Sequence, residues 1–371
     1  MLHDSLNFAG GAERVCLQTI DSIQELGHQV TLGTIDETDW EKVDLRLGGG
    51  IRPRREVHLW RVNSAVLRVY TSVLLPLVLS KLKSDCDLIV CTNLDVFPLS
   101  VDLGYMHYVP LCSIPRSNTE KNYSTKWYFY SFLGQKLQSR LLHTMRVRKL
   151  ITNSSFSRRL IMERTGFDAE VVYPAVDIEK FKGPRHGNRR KNQVVSIGRL
   201  SPEKNFEFVL ELAERIPYAN FVIIASLAGI NSRAYLERLH GIARMKKLTN
   251  LTILVNLSLE RVLEVLHSSR VFLHAAKEEH FGLVVVEAMA AGLIPVVHRS
   301  GGQWEDLLET SDGLHGYSYQ TPQEAQERIE MILGTGTADE IQKRDGDWVE
   351  KFSLPQFREK MQAAINQLIR D

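Results

Sequence analysis

The residues best placed to do chemistry fall in one stretch, residues 279–302, reading EHFGLVVVEAMAAGLIPVVHRSGG. Two glutamates, Glu279 and Glu287, bracket a Phe-Gly turn and the start of an apolar helix. His280, Phe281 and Gly282 turn the chain so that the amides of Leu283, Val284 and Val285 open that helix. Such amides carry a partial positive charge and suit phosphate, while carboxylates accept hydrogen bonds from hydroxyls. A ligand that mixes the two groups, as a sugar nucleotide does, fits the pattern. Paired glutamates also suggest glycoside hydrolysis, but their spacing excludes it. Eight residues separate the two backbones by roughly 12 Å even in a helix, whereas a hydrolase needs its carboxyls within roughly 5 to 9.5 Å. Glu279 and Glu287 therefore grip the sugar and the ribose ends of one extended ligand, with the diphosphate between them.

Other segments supply cations and close turns. The run Gly198-Arg199-Leu200-Ser201-Pro202-Glu203-Lys204-Asn205 follows a strand and opens a helix, with Ser201 as its N-cap and Pro202 at the first helical position. Lys204 then falls in the first turn, which disfavours a cation unless an anion lands there too. Arg199 offers a fork for phosphate oxygens, so the pair reads as a clamp on a departing diphosphate. Gly10 and Gly11, in FAGGAER, permit close backbone approach at the start of the first helix. Ser300-Gly301-Gly302 resembles that loop and is expected to supply further amides. His107, within MHYVP after a strand, sits where it could contact a transferred sugar. Asp85-Cys86-Asp87 has the outline of a metal-binding DxD, but it directly precedes a strand and reads as a turn. No metal is assigned.

These residues need an α/β framework to hold them. Val- and Ile-rich runs at residues 88–91, 149–152, 170–173, 194–197, 221–225, 252–254, 271–274 and 294–297 alternate with helical patterns at 206–215, 234–246 and 260–267. That alternation is the mark of parallel βαβ units. Residues 183–192, GPRHGNRRKN, read as an exposed linker. The chain thus divides into an N-terminal doubly wound domain (1–182) and a C-terminal one (192–351), with 352–371 as a closing element. Two such halves are expected to place a ligand cleft at the carboxyl ends of their strands.

At 371 residues, the chain is too long for one ordinary core. Its apolar content of 44% and charged content of 24% are those of a globular protein. A net charge of +2 argues against a nucleic-acid partner. Cys16, Cys86, Cys91 and Cys112 show no CxxC spacing and read as reduced thiols of a cytoplasmic protein. No apolar run approaches the roughly 20 residues of a membrane span. Residues 66–79 read as a buried helix, or as one whose basic edge, Lys81 and Lys83, rests on a membrane surface.

Taken together, E-x7-E at Glu279 and Glu287, GRLxxEKN at residues 198–205 and GGAER at residues 10–14 resemble the family 4 glycosyltransferases of GT-B fold over nearly the full chain. EHFG at 279–282, HRSGG at 298–302 and HYVP at 107–110 are most similar to the mannosyltransferases that extend dolichol-linked oligosaccharide. The resemblance implies two Rossmann-like domains, the first on the acceptor side and the second binding a nucleotide sugar, with the last helix crossing back onto the first. It implies retaining, metal-independent transfer of a hexose, mannose from GDP-mannose above all, to a lipid-linked oligosaccharide or a polysaccharide. Glu279, Arg199, Lys204 and His107 would be catalytic. Gly10, Gly11, Glu287, Phe281, Gly282, Leu283, Val284 and Gly301 would bind the donor. The enzyme would need no cofactor and could contact the cytosolic membrane face peripherally. Family members begin with a full apolar strand and the eukaryotic relatives with a membrane anchor; here Met1 to Asp4 alone precede the glycine loop, so a short or truncated first strand is expected. Two further readings use the same residues: a catalytically silent sugar-nucleotide-binding or scaffold subunit, and a nucleotide-sugar epimerase.

Overall fold

A computed structural model describes residues 1–60, 74–83, 85–95, 99–109, 136, 140, 142, 144–183, 192–227, 231–334 and 347–371. Pro110, Cys112, residues 66–73 and most of the expected linker lie outside them. The chain forms two compact units, Met1–Ala175 with Leu354–Asp371, and Val176–Ser353.

In the first unit, β1 (Thr31–Asp36) pairs with β2 (Arg55–Trp60), and β3 (Val90–Cys91), β4 (Val101–Met106), β5 (Val147–Thr152) and β6 (Glu170–Val171) follow in order, all parallel. Leu2 bridges Gly33 of β1 and Cys91 of β3 in parallel. Its neighbours bond on both sides: Gly33 N–H donates to Met1 O (2.7 Å) and Thr92 N–H to Leu2 O (3.0 Å). The short first segment thus takes the middle place in this sheet despite its length, because backbone pairing needs few residues when both flanks are present. Around the sheet run α1 (Gly11–Glu25), α2 (Trp40–Leu47), α3 (Leu75–Leu82) and α4 (Ser155–Thr165).

The second unit begins with the one-turn α5 (Ile178–Phe181). Its six-stranded sheet has the order β12-β11-β10-β7-β8-β9, all parallel, from β7 (Gln193–Arg199), β8 (Asn220–Ser226), β9 (Leu251–Val255), β10 (Val271–His274), β11 (Ile294–His298) and β12 (Tyr317–Tyr319). The helices are α6 (Phe206–Arg215), α7 (Ser232–Met245), α8 (Leu259–Ser268), α9 (Leu283–Ala290) and α10 (Pro322–Gly334). Strand order reverses between β7 and β10, and ligands of doubly wound sheets bind at that switch, at the carboxyl ends. The last helix, α11 (Leu354–Arg370), belongs to the first unit. It buries Phe357, Met361, Ala364, Ile365 and Leu368 in the cluster that holds Val15, Cys16 and Ile20 of α1. Each large apolar side chain so buried stabilises by about 1.5–3 kcal/mol. Among the described residues, no helix is long and apolar enough to cross a membrane.

Candidate functional site

In the second unit, the clamp segment departs from the expected single helix. Pro202–Lys204 forms a separate three-residue 3₁₀ turn, and Asn205, left-handed at φ 53°, redirects the chain into α6. Asn205 Nδ2 donates to Ala275 O (3.2 Å), pinning that break to the loop after β10. Ser201 holds the N-cap position of this turn, with Pro202 first in it, but its side chain makes no capping bond; its hydroxyl donates to Glu203 Oε1 (2.6 Å). The dipole argument for Lys204 falls with the helix. What holds its ammonium is an ion pair to Glu279 Oε2, with the two side chains 17% and 25% exposed. Burial works against the Glu279 carboxylate, but Lys204 outweighs it and holds the carboxyl down at about 2. Arg199 is not drawn into this pair: it is 64% exposed and meets Glu203 at 3.5 Å.

Glu279 precedes α9, and Gly282 caps that helix in the left-handed region (φ 102°). The Val285 N–H donates to Gly282 O (2.8 Å), so the expected run of open amides shrinks to Leu283 and Val284. Phe281 is buried and meets Phe352 edge-on at 5.5 Å, so its ring belongs to the core. Glu287 is half-buried in the second turn of α9.

The Ser300-Gly301-Gly302 loop lies flat on the backbone that carries Glu279. A Cβ on Gly301 (φ 77°) would come within 2.4 Å of Glu279 O and 2.8 Å of Glu279 N, and one on Gly302 within 2.3 Å of His280 O. Gly302 N–H donates to Glu279 O (2.8 Å), and Glu278 N–H to Ser300 Oγ (2.9 Å). These glycines therefore act by letting two loops touch, and the Gly302 amide is spent on that contact. Sequence reasoning missed His274, the last residue of β10. Its Nε2 lies 3.8 Å from Glu279 Oε2. A polar residue ending an otherwise apolar buried strand, at the ligand edge of a parallel sheet, was the available signal.

The first unit assembles its own polar cluster. Gly10 is the N-cap of α1, and its N–H donates to Glu13 Oε2 (2.8 Å), so this amide too is committed internally. Glu13 Oε1 lies 4.0 Å from Nε2 of the fully buried His3, whose Nδ1 meets Thr92 Oγ1 at 2.9 Å. Burial opposes ionisation of Glu13, and His3 reverses that and lowers its pKa. His107 joins the same chain of contacts through Thr92 O, 2.9 Å from Nε2. A carbonyl only accepts, so Nε2 carries the hydrogen and Nδ1 presents a lone pair. Burial pushes His107 down to about 4, leaving the ring neutral near pH 7. Its backbone is fixed by Asp95 Oδ1, which accepts His107 N–H at 3.1 Å, and by Asn153 Nδ2, which donates to His107 O at 2.7 Å. Desolvation raises buried Asp95 to about 7. His3, Thr92 and Asp95 carried no motif and were missed.

Known families divide the chain at nearly the same place. The family described as glycosyltransferase family 4 matches residues 9–180, and that described as glycosyl transferases group 1 matches residues 177–345. The chain belongs to the group 1 and family 4 glycosyltransferases. Among curated relatives, the Dictyostelium discoideum GDP-Man:Man(3)GlcNAc(2)-PP-Dol alpha-1,2-mannosyltransferase is 31% identical over 235 residues, 58% of this chain and 46% of that protein. The Homo sapiens protein of the same name is 24% identical over 239 residues, 60% of this chain and 49% of that one. The chain spans about half the length of the curated relatives it matches. Among solved structures, sucrose-phosphate synthase from Thermosynechococcus elongatus matches with a TM-score of 0.77 at 15% identity over 100% of this chain and 98% of that one. Anabaena HepE, solved with UDP and glucose, matches with a TM-score of 0.72 at 17% identity over 98% of both chains. These likenesses show the GT-B fold that the sequence resemblance implied.

Proposed function

We propose that this glycosyltransferase moves a hexose, mannose from GDP-mannose, to a lipid-linked oligosaccharide, with retention and without a metal. The observation that carries the reading is the Lys204–Glu279 pair. A cation and a carboxylate that neutralise each other in the free protein can be divided by one ligand, with the diphosphate taking Lys204 and the sugar hydroxyls taking Glu279. The open amides of Leu283 and Val284 suit the same diphosphate, and Glu287, a turn further along α9, suits the ribose. Arg199, exposed and weakly engaged with Glu203, adds a second cation to the leaving group. Stabilising that developing charge is the main catalytic contribution. In the first unit, His107 offers a neutral ring whose Nδ1 lone pair suits a hydroxyl of the transferred sugar. The names of the curated relatives support the donor and the lipid-linked acceptor. A peripheral membrane contact at the cytosolic face follows from such an acceptor.

Incubation with radiolabelled GDP-mannose and polyprenyl-linked oligosaccharide should yield a labelled lipid product that Glu279→Ala abolishes. Absence of transfer from every nucleotide sugar would refute the reading, and binding by calorimetry without turnover would instead identify a binding subunit. A thermal-shift screen of GDP- and UDP-sugars identifies the base, since a ligand at 100 times its Kd stabilises by roughly 2.7 kcal/mol.

A further inference from the structure

His274 has no part in the roles assigned above, yet its surroundings are unusual. The side chain is 3% exposed, and neither ring nitrogen has a hydrogen-bond partner among the described residues. Buried polar groups nearly always find partners, so each exception calls for a reason. Gln303, fully buried, spends its amide group on Ala276 O (2.9 Å) and His298 O (3.2 Å), and its Oε1 is left without a partner. The ring therefore has two neighbours that accept, Glu279 and Gln303, and both favour a proton on it. An imidazolium carries two N–H donors and would satisfy atoms that the neutral ring leaves orphaned.

Two influences keep that proton off. Burial is the larger and the Lys204 ammonium adds to it; against Glu279 and Gln303 they hold the ring at about 4. Titratable groups on the elements packed against β10 are Lys204 after β7, His298 on β11, Glu287 on α9 and Asp306 beside Gln303, while α10 turns Ala325, Ile329 and Ile332 inward. Of these, Lys204 bears most on the ring, together with Glu279 from the loop after β10. His298 instead meets Ser300 Oγ (2.8 Å) and the Tyr319 ring. Lys204 is also the group that a diphosphate would displace.

We propose that His274 is the reserve partner of Glu279: when a donor's diphosphate draws Lys204 away, the ring takes up one proton from solvent and holds the carboxylate in place for the sugar hydroxyls. This rests on the donor reading of the site given above. The residue acts through Glu279 and is a positioning residue.

The test is calorimetric titration of the full chain with GDP-mannose at pH 5, in buffers of different ionisation enthalpy. The diphosphate diester of this probe does not titrate there, so proton uptake reports the protein. Wild type should take up about 0.4 of a proton on binding, the change that a rise of one pH unit from about 4 produces at pH 5, while His274→Gln should bind up to tenfold more weakly with no uptake at this site. A second arm needs no donor: in Lys204→Met, NMR titration should show His274 protonating at least about one pH unit higher than in wild type, a tenfold change in its proton affinity. Equal uptake in His274→Gln, or an unmoved His274 in Lys204→Met, overturns the proposal. Failure of the wild type to bind any nucleotide sugar, with His274 raised in Lys204→Met, refutes the donor reading and not the coupling of the three side chains.

Discussion

Removing the charge of Glu279 should change stability in a way that only its pairing with Lys204 predicts. The carboxyl ionises at about 2 in the folded chain, against an ordinary 4.5. A folded-state pKa below the unfolded one contributes stability that is fully present above 4.5 and is lost as pH falls toward 2. At pH 7 that contribution amounts to about 3 kcal/mol. By pH 3.5 the unfolded carboxyl is about nine-tenths protonated while the folded one is not, and on the order of 1 kcal/mol of the contribution has gone. Glu279→Gln should therefore be less stable than wild type by about 3 kcal/mol at pH 7 and by about half that at pH 3.5. Lys204→Met, which strands the carboxylate, should cost a similar amount, and the double variant less than the sum by about 2 kcal/mol. Urea unfolding of the four proteins across pH 3.5–7, followed by a probe in the second unit, measures all of this. A gap between wild type and Glu279→Gln that stays constant with pH, or single costs that add within about 0.5 kcal/mol, would refute the reasoning.

Gly301→Ala should lower both Tm and donor affinity, the latter by more than tenfold, because its Cβ would sit 2.4 Å from Glu279 O at a φ of 77°; thermal shift and calorimetry with GDP-mannose check this. Asp95→Asn should flatten the stability profile of the first unit. Its folded pKa is raised to about 7 from 3.8, so the wild type is most stable below 3.8 and loses up to about 4 kcal/mol as pH rises through 7; denaturant unfolding at pH 4 and 8 measures the difference. With His107 held at about 4 by burial, the pH–rate profile of transfer should show no limb from this ring above pH 5, and His107→Ala should lower kcat without creating one. Cys86 is partly exposed whereas Cys16 and Cys91 are buried, and burial drives the Cys91 thiol up to about 12. Iodoacetamide should label Cys86 in the native chain and the other two only after unfolding, as mass spectrometry of peptides would show.

Most strands of the second unit were legible because they read as short unbroken apolar runs, as residues 271–274 coincide with the fully buried β10, and the helical pattern at 206–215 coincides with α6. β1, β4 and β12 were not, since Gly33, Asp102 and Ser318 interrupt their pattern and partners distant in the chain bury them. The catalytic candidates Glu279 and Lys204 were legible from residue type and spacing, but their mutual pairing was not, because it joins residues 75 positions apart. The helix expected at Lys204 failed where Asn205 adopts a left-handed conformation, a choice made by its bond to Ala275 across the sheet. His274, His3 and Asp95 escaped notice for a related reason: a single polar side chain acquires meaning only from neighbours that the fold delivers.

The passage of the chain between its units has a consequence for how the molecule comes off the ribosome. The backbone leaves the first unit after Ala175 and returns at Leu354. Until then α1 has no α11 against it, and the strip formed by Val15, Cys16 and Ile20 is left open to water. At translation speeds of about 5–20 residues per second, the wait lasts on the order of ten to forty seconds. The second unit is one uninterrupted run and can close as soon as it has emerged. The half made first is thus the half finished last, and its bare α1 surface is where a chaperone would find the nascent chain.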